Sequence, residues 1–235
     1  MFPLRDENPT SSYPVATVTI IALCTLSWVV LQGFGGAQPL ARSLCTFGMI
    51  PARLFGMLPA GAHVPVGGGM YCVMQGSRDL YTVITHMFMH GGWFHLIGNM
   101  WFLWIFGDNV EDAMGSSRFA LFYILCGLAA AGAQLITDTS SALPMVGASG
   151  AIGGVMGAYG RLYPHARVHT LLFLGIIFTT VSMPAYVMLG YWFLLQLLSG
   201  IPSLSAVGGG VAFWAHVGGF AAGFLLATVF TRRTV

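Results

Sequence analysis

The stretch Met145-Val146-Gly147-Ala148-Ser149-Gly150-Ala151-Ile152-Gly153-Gly154-Val155-Met156-Gly157 decides how this chain is read. It sets one serine among glycines and alanines at the head of an apolar run. A hydroxyl in such a place either bonds to the preceding helical turn, which is the ordinary solution, or is unusually available. Gly153 and Gly157 follow Ser149 at helical spacing, so the face bearing the hydroxyl has almost no side-chain bulk and a second helix can approach it closely. What arrives opposite Ser149 is the question put to the rest of the sequence.

Composition sets the class. With 56% hydrophobic residues, 7% charged residues and a mean hydropathy of +0.78, the chain of 235 residues has too few charges to cover a soluble globule. It reads as a polytopic membrane protein, an all-α bundle whose partner is the lipid bilayer, with room for about six spans of ~20 residues in one domain over residues 1–235. The net charge of +2 is spread thinly over nine basic residues, all arginine, and forms no patch for nucleic acid.

Residues 1–14 form a short polar tail carrying Arg5, Asp6 and Glu7, and residues 15–33 read as the first span; its length and the net-negative region before it argue against a cleaved signal peptide. Residues 34–92 are a long connection, too rich in glycine and proline for a span and interrupted by Arg42, Arg53, Arg78 and Asp79. Loops of this length are usually functional or disordered, and the apolar pieces within it suggest short amphipathic turns lying in the membrane interface. The second span is expected over 93–106, a short acidic turn over 107–117, and the third and fourth spans over 119–136 and 146–163. Pro184 divides the apolar run after that, giving an interfacial or partly embedded connector at 171–181 and a fifth span at 184–198; the sixth span is 211–230, followed by a tail at 231–235. An even number of spans puts both termini on one side. With the termini in the cytoplasm, Arg5, Arg118, Arg161, Arg167, Arg232 and Arg233 lie inside and only three arginines outside, the expected bias.

Polar residues at membrane depth are costly and mark function. His95 and Asn99, four residues apart, share one face of the second span; Ser149 opens the fourth; His216 begins His216-Val217-Gly218-Gly219-Phe220-Ala221-Ala222-Gly223 on the sixth. Gly219 and Gly223 share the His216 face, which can meet the glycine face of the fourth span and bring imidazole to hydroxyl. A serine needs a neighbouring base, most often a neutral histidine. The Asn99 amide, the His95 ring N–H and the unpaired N–H groups that open the fourth helix can stabilise an oxyanion. Taken singly, a serine in a small-residue helix is usually a packing hydroxyl and a lone histidine among aromatics is structural. Three such features on three spans, two flanked by glycine faces, point together to a site.

Other residues read as structural. His63, His86 and His90 match no zinc spacing, and no cysteine accompanies them closely, so neither metal nor cofactor is expected. His90 is expected to tie the first loop to the second span by hydrogen bonding, and Glu111 and Arg118 to be partners at the cytoplasmic turn. Cys24 and Cys126 lie in spans as small apolar fillers. Cys45 and Cys72 fall in the long loop, on the oxidising side for this orientation, and are candidates for a disulfide that a Cα separation above ~7 Å would exclude.

The motifs resemble those of the rhomboid intramembrane serine proteases. His90-Gly91-Gly92-Trp93-Phe94-His95-Leu96-Ile97-Gly98-Asn99-Met100 is similar to that family's second-span motif, and Phe106-Gly107-Asp108-Asn109-Val110-Glu111-Asp112 to the turn after it. Gly147-Ala148-Ser149-Gly150 resembles the nucleophile motif and Ala215-His216-Val217-Gly218-Gly219 the base motif, in the same order and at agreeing separations. The resemblance implies a six-helix core with the long first loop beside the site and a short, central fourth helix. It implies Ser149 as nucleophile, His216 as general base and then acid, and His95, Asn99 and the Ser149 backbone N–H as oxyanion stabilisers. The implied substrates are single-span membrane proteins cut near the outer end of the span, entering beside the fifth span, where Trp192, Phe193 and Leu194 are gate candidates. Two departures stand out. The position four residues after the serine, aromatic in some members, is Gly153, so what holds the imidazole is left open, and no acidic residue occupies a span near His216. The tryptophan-arginine pair that some members carry in the first loop does not occur between residues 34 and 92.

Two other classes compete. A non-catalytic rhomboid-like protein that escorts transmembrane segments would typically lack the serine or the histidine, and a transporter is disfavoured because inverted repeats and charged residues in the spans are absent. The short chain shows no evident transit peptide, which makes a prokaryotic plasma membrane the expectation. Oligomeric state is left open.

Overall fold

The computed structural model describes residues 1–204 and 211–232. In chain order it contains β1 (Phe2–Asp6), α1 (Val15–Val30), α2 (Ala37–Phe47), α3 (Pro51–Leu54), β2 (His63–Gly67), β3 (Met70–Val73), α4 (Thr82–Thr85), α5 (Trp93–Met114), α6 (Ser116–Thr137), α7 (Ser149–Leu162), β4 (Arg167–Leu174), β5 (Ile177–Pro184), α8 (Ala185–Ser203) and α9 (Phe213–Phe230). Three helices among the described residues are long and apolar enough to cross a membrane: Ser116–Thr137, Ala185–Pro202 and Phe213–Phe230. The protein is mostly helical rather than all-α, because two antiparallel sheets, β2-β3 and β1-β4-β5, occupy segments expected to be irregular.

The connector expected at 171–181 takes β-structure. These residues lie within the β4-β5 hairpin, which turns at Gly175 with φ +69°, and β4 also pairs with β1 from the N-terminal tail. Val168, Thr170, Thr179, Thr180 and Val181 are β-branched, and Phe173 packs edge to face on Phe178, so the run suits a pleated ribbon as well as its hydropathy suits lipid. An open sheet presents unpaired backbone groups at its edges, which the hydrocarbon does not tolerate, so the ribbon belongs outside the bilayer core.

The second correction concerns the expected acidic turn at 107–117. Helix α5 continues to Met114 and stops at Gly115, whose φ is +79°. Its polar residues are not a turn signal because the N-terminal tail takes them up. Glu111, fully buried, accepts the Ala16 and Thr17 backbone N–H groups at 2.8 and 2.7 Å. It therefore caps α1, whose Pro14 provides no side-chain cap. Its partner is the first turn of α1 rather than Arg118. Asn109 Nδ2 donates to the Asn8 carbonyl at 2.9 Å, and the Ser11 and Ser12 hydroxyls donate to the Asp112 carboxylate.

The centre of the molecule is α7, short and almost wholly buried from Gly150 to Tyr159. It lies against α9 so closely that a Cβ on Gly219 would collide with the Gly150 carbonyl, and one on Gly223 with the Gly154 carbonyl. The segment between α1 and α5 has a small core of its own, formed by Ile50, Val64, Cys72 and Met74. Cys45 and Cys72 are joined there in a disulfide, with their Cα atoms 5.3 Å apart, and Arg53 pairs with Asp79. The loop reaches the head of α7 through paired backbone bonds, Met49 N–H to the Met145 carbonyl at 3.0 Å and the reverse at 2.8 Å. Cys24 and Cys126 are buried free thiols. At the other end, the Arg232 N–H donates to the Ala113 carbonyl at 3.0 Å, whereas residues 233–235 of the expected tail lie outside the described residues.

Candidate active site

Ser149 is the first residue of α7, where backbone N–H groups have no intrahelical acceptor. Its Oγ lies 2.7 Å from Nε2 of His216, on the first turns of α9. The close approach of the two helices sets this distance, because a bulkier residue at Gly219 or Gly223 would strike the α7 backbone and hold hydroxyl and imidazole apart. Both residues are only partly buried. The other ring nitrogen, His216 Nδ1, lies 2.8 Å from Oε1 of Gln196 on α8.

His95 and Asn99 come from the N-terminal half of α5. The Gly91 backbone N–H donates to His95 Nδ1 at 3.2 Å, which places the ring proton on Nε2 and makes that nitrogen a donor. Gly147, with φ +128°, separates this ring from the serine. The place its Cβ would take is 2.7 Å from His95 Nε2 and 3.6 Å from Ser149 Oγ. The missing side chain thus leaves a gap between an N–H donor and the hydroxyl. Asn99 is buried, and its Nδ2 has no hydrogen-bond partner among the described residues. Such a group costs free energy unless something is to be bonded there.

Behind the serine is a cavity of about 20 Å³, lined by His86, Gly147, Ser149, Gly150 and Ala215 among others. That is room for one water molecule. The His86 carbonyl accepts the Gly147 N–H at 2.9 Å. Burial pushes the His86 imidazole down to about 4, so the ring is neutral, and its Nδ1–H donates to the Thr82 carbonyl at 2.9 Å.

His90 differs from expectation. Its backbone, not its imidazole, makes the tie: the buried Gln32 amide donates to the His90 carbonyl at 2.7 Å and accepts the His90 N–H at 2.9 Å. That joins the end of α1 to the approach to α5. The His90 ring nitrogens have no partner among the described residues, and the ring packs edge to face on His95 at 5.2 Å. His63 lies in β2 beside Tyr71, away from the other histidines. Of the gate candidates, Trp192 and Phe193 turn inward onto Phe220, while Leu194 is half exposed.

The structure therefore brings Ser149 to His216, and His95 to the edge of the same gap. Gln196 and Gly147 were not singled out from the sequence. For Gln196 the available signal was its being the one amide in an otherwise apolar span at 184–198.

An apolar helical bundle with three helices long enough to cross a membrane is a membrane protein, and its central helix starts with a serine hydrogen-bonded to an imidazole. Its relatives make the class more definite. The Rhomboid domain model matches residues 77–233, about two thirds of the chain, and the chain belongs to the rhomboid family. It is 31% identical over 214 residues to Rhomboid protease GluP of Bacillus subtilis, covering 91% of this chain and 34% of that protein. It is 29% identical over 225 residues to RHOMBOID-like protein 1 of Arabidopsis thaliana, covering 94% and 53% of the two chains. A shorter match, 33% over 96 residues, is to Rhomboid protein 1, mitochondrial, of Saccharomyces cerevisiae, covering 39% and 28%. The chain spans between about a quarter and about half of the length of these relatives and RHOMBOID-like protein 5 of Arabidopsis thaliana. Plant and yeast proteins stand beside a bacterial one, so the relatives assign no particular membrane.

Proposed function

We propose that the chain is an intramembrane serine endopeptidase that cuts single-span membrane proteins near the outer end of the span, using a Ser149-His216 dyad. In this reading α1, α5, α6, α7, α8 and α9 are six spans, both termini are cytoplasmic, the host membrane is a prokaryotic plasma membrane, and substrate approaches beside α8. The observation that carries the reading is the 2.7 Å contact between Ser149 Oγ and His216 Nε2, beside a gap bordered by the His95 N–H.

The chemistry follows from these atoms. Ser149 Oγ bonds to the scissile carbonyl carbon as its proton passes to His216 Nε2, and the carbonyl electron pair moves onto oxygen. That oxygen, in the gap left by Gly147, takes hydrogen bonds from His95, Asn99 and the Ser149 N–H. The C–N bond then breaks and His216 gives its proton to the leaving amine. Water next attacks the acyl ester, His216 accepts its proton, and the serine leaves with that proton restored. A peptide bond within an intact helix is shielded by its own backbone hydrogen bonds, which favours a substrate helix weak near its outer end.

The non-catalytic alternative is tested directly. Purified protein in liposomes, given a model single-span substrate, is expected to cleave it, and Ser149→Ala or His216→Ala is expected to lower kcat by at least about 10³-fold. A serine-reactive fluorophosphonate should label wild type and not Ser149→Ala. Equal cleavage by all three proteins removes the protease reading.

A further inference from the structure

We infer that Gln196 is the positioning residue for His216, a neutral third member of the site supplied by α8. This rests on reading Ser149 and His216 as the catalytic pair, and it answers what holds the imidazole where Gly153 provides no aromatic ring.

The hydrogen bonds require one another. A glutamine Oε1 only accepts, so the 2.8 Å contact needs a proton on His216 Nδ1. The Nε2 lone pair is then bare and accepts the Ser149 O–H at 2.7 Å. With the ring proton on Nε2, the bare Nδ1 would face the Gln196 oxygen, and the Ser149 hydroxyl would accept from the ring instead of donating to it, so the serine would have no base. Gln196 therefore selects the working tautomer, the role that a buried carboxylate has in aqueous serine hydrolases. An amide suits a bilayer better. It takes the Nδ1–H in the resting site and its carbonyl dipole still faces that proton when the ring is doubly protonated, without a desolvated charge between turnovers.

The same face of α8 covers the ring. Trp192, one turn before Gln196, lies 5.8 Å from the His216 ring centroid at an interplanar angle of 37°. Gly153 makes this possible: a Cβ there would stand 3.1 Å from the His216 carbonyl and 3.7 Å from Trp192 Cη2, so a larger residue would displace the indole. The opposite face of α8, with Tyr191, Leu194, Leu195 and Leu198, is exposed. Ring orientation therefore depends on where α8 sits.

The test uses the full chain in liposomes with the model single-span substrate, and the fluorophosphonate as a probe that needs no substrate. Gln196→Met keeps length and volume but loses the strong acceptor; Gln196→Glu keeps the acceptor. We expect Gln196→Met to lower kcat and the labelling rate roughly 10- to 100-fold, less than the about 10⁴-fold seen when a charged orienting carboxylate is neutralised. KM and the thermal midpoint should hardly change, and Gln196→Glu should return kcat to within a few-fold of wild type. A Met variant as active as wild type, an equal loss in Met and Glu variants, or a loss confined to KM overturns the proposal. A direct readout needs no Gln196 variant: ¹⁵N-histidine spectra of wild type, assigned by the signal missing in His216→Ala, should show the proton on Nδ1, and a proton on Nε2 overturns the proposal. Cleavage that survives Ser149→Ala would instead remove the underlying protease reading. An inactive Ser149→Ala beside an unimpaired Gln196→Met removes only the role of Gln196.

Discussion

A substrate oxygen turning anionic beside Ser149 would meet a neutral, poorly hydrated surrounding, where each fixed donor is worth more than in water. His95 Nε2 borders the gap left by Gly147, and Asn99 Nδ2 is buried without a partner. If these groups act on the developing charge and not on bound substrate, Asn99→Ala should lower kcat by about 10²- to 10³-fold with KM nearly constant. Steady-state kinetics on the model substrate separates the two cases, and a rise in KM at constant kcat would move Asn99 to ground-state binding. At this scale the meeting of Ser149 with His216, and of His95 with the edge of the same gap, was legible because each is a polar group in an apolar run with a short, helical relation to its neighbours. Gln196 and Gly147 were less so. The first acts across helices on a residue twenty positions away, and the second acts by having no side chain, which sequence cannot distinguish from the many other glycines.

Between elements, the decisive contact is α7 on α9. Gly219 faces the Gly150 carbonyl with no space for a methyl group, whereas nothing stands within 4 Å of a Cβ placed on Gly132 of α6. Gly219→Ala must therefore push the helices apart, costing about 1–3 kcal/mol in strain and repacking and lengthening the Ser149-His216 bond. The expected result is a lower thermal midpoint together with loss of fluorophosphonate labelling, while Gly132→Ala leaves both unchanged. Unaltered labelling in Gly219→Ala would show that the contact does not set the dyad. The three long apolar helices, Ser116–Thr137, Ala185–Pro202 and Phe213–Phe230, could be read from hydropathy. The β4-β5 ribbon could not, because β-branched and aromatic residues serve both lipid-facing helix and strand, and its pairing with β1 joins segments more than 160 residues apart. The length of α5 was hidden for a related reason: Glu111 and Asp112 look like a turn until α1 and the N-terminal tail are seen to satisfy them.

The molecule as a whole has two unlike ends. One carries the disulfide-clipped loop, the Met49-Met145 bridge, the His86-Gly147 bond and, directly behind them, Ser149; the other carries β1 paired with β4, which follows the far end of α7. A disulfide persists on the oxidising side of a membrane, so the bond between Cys45 and Cys72 ties the sidedness of the site to that of the loop. Closing a loop of 27 residues is worth about 3–4 kcal/mol in the chain-entropy account, and that stabilisation acts on the small core of Ile50, Val64 and Met74 more than on the helical bundle. In sealed right-side-out vesicles, an impermeant maleimide should leave the protein unlabelled until an impermeant reductant is added, and should then modify Cys45 and Cys72. Cys24 and Cys126 are fully buried and should stay unmodified throughout. Fluorophosphonate labelling of Ser149 should survive the reduction, because the disulfide lies in the separate small core of Ile50, Val64 and Met74 and the backbone bridge at Met49 remains. Modification only after the vesicles are opened would place the loop on the other side and, with it, the mouth of the serine site.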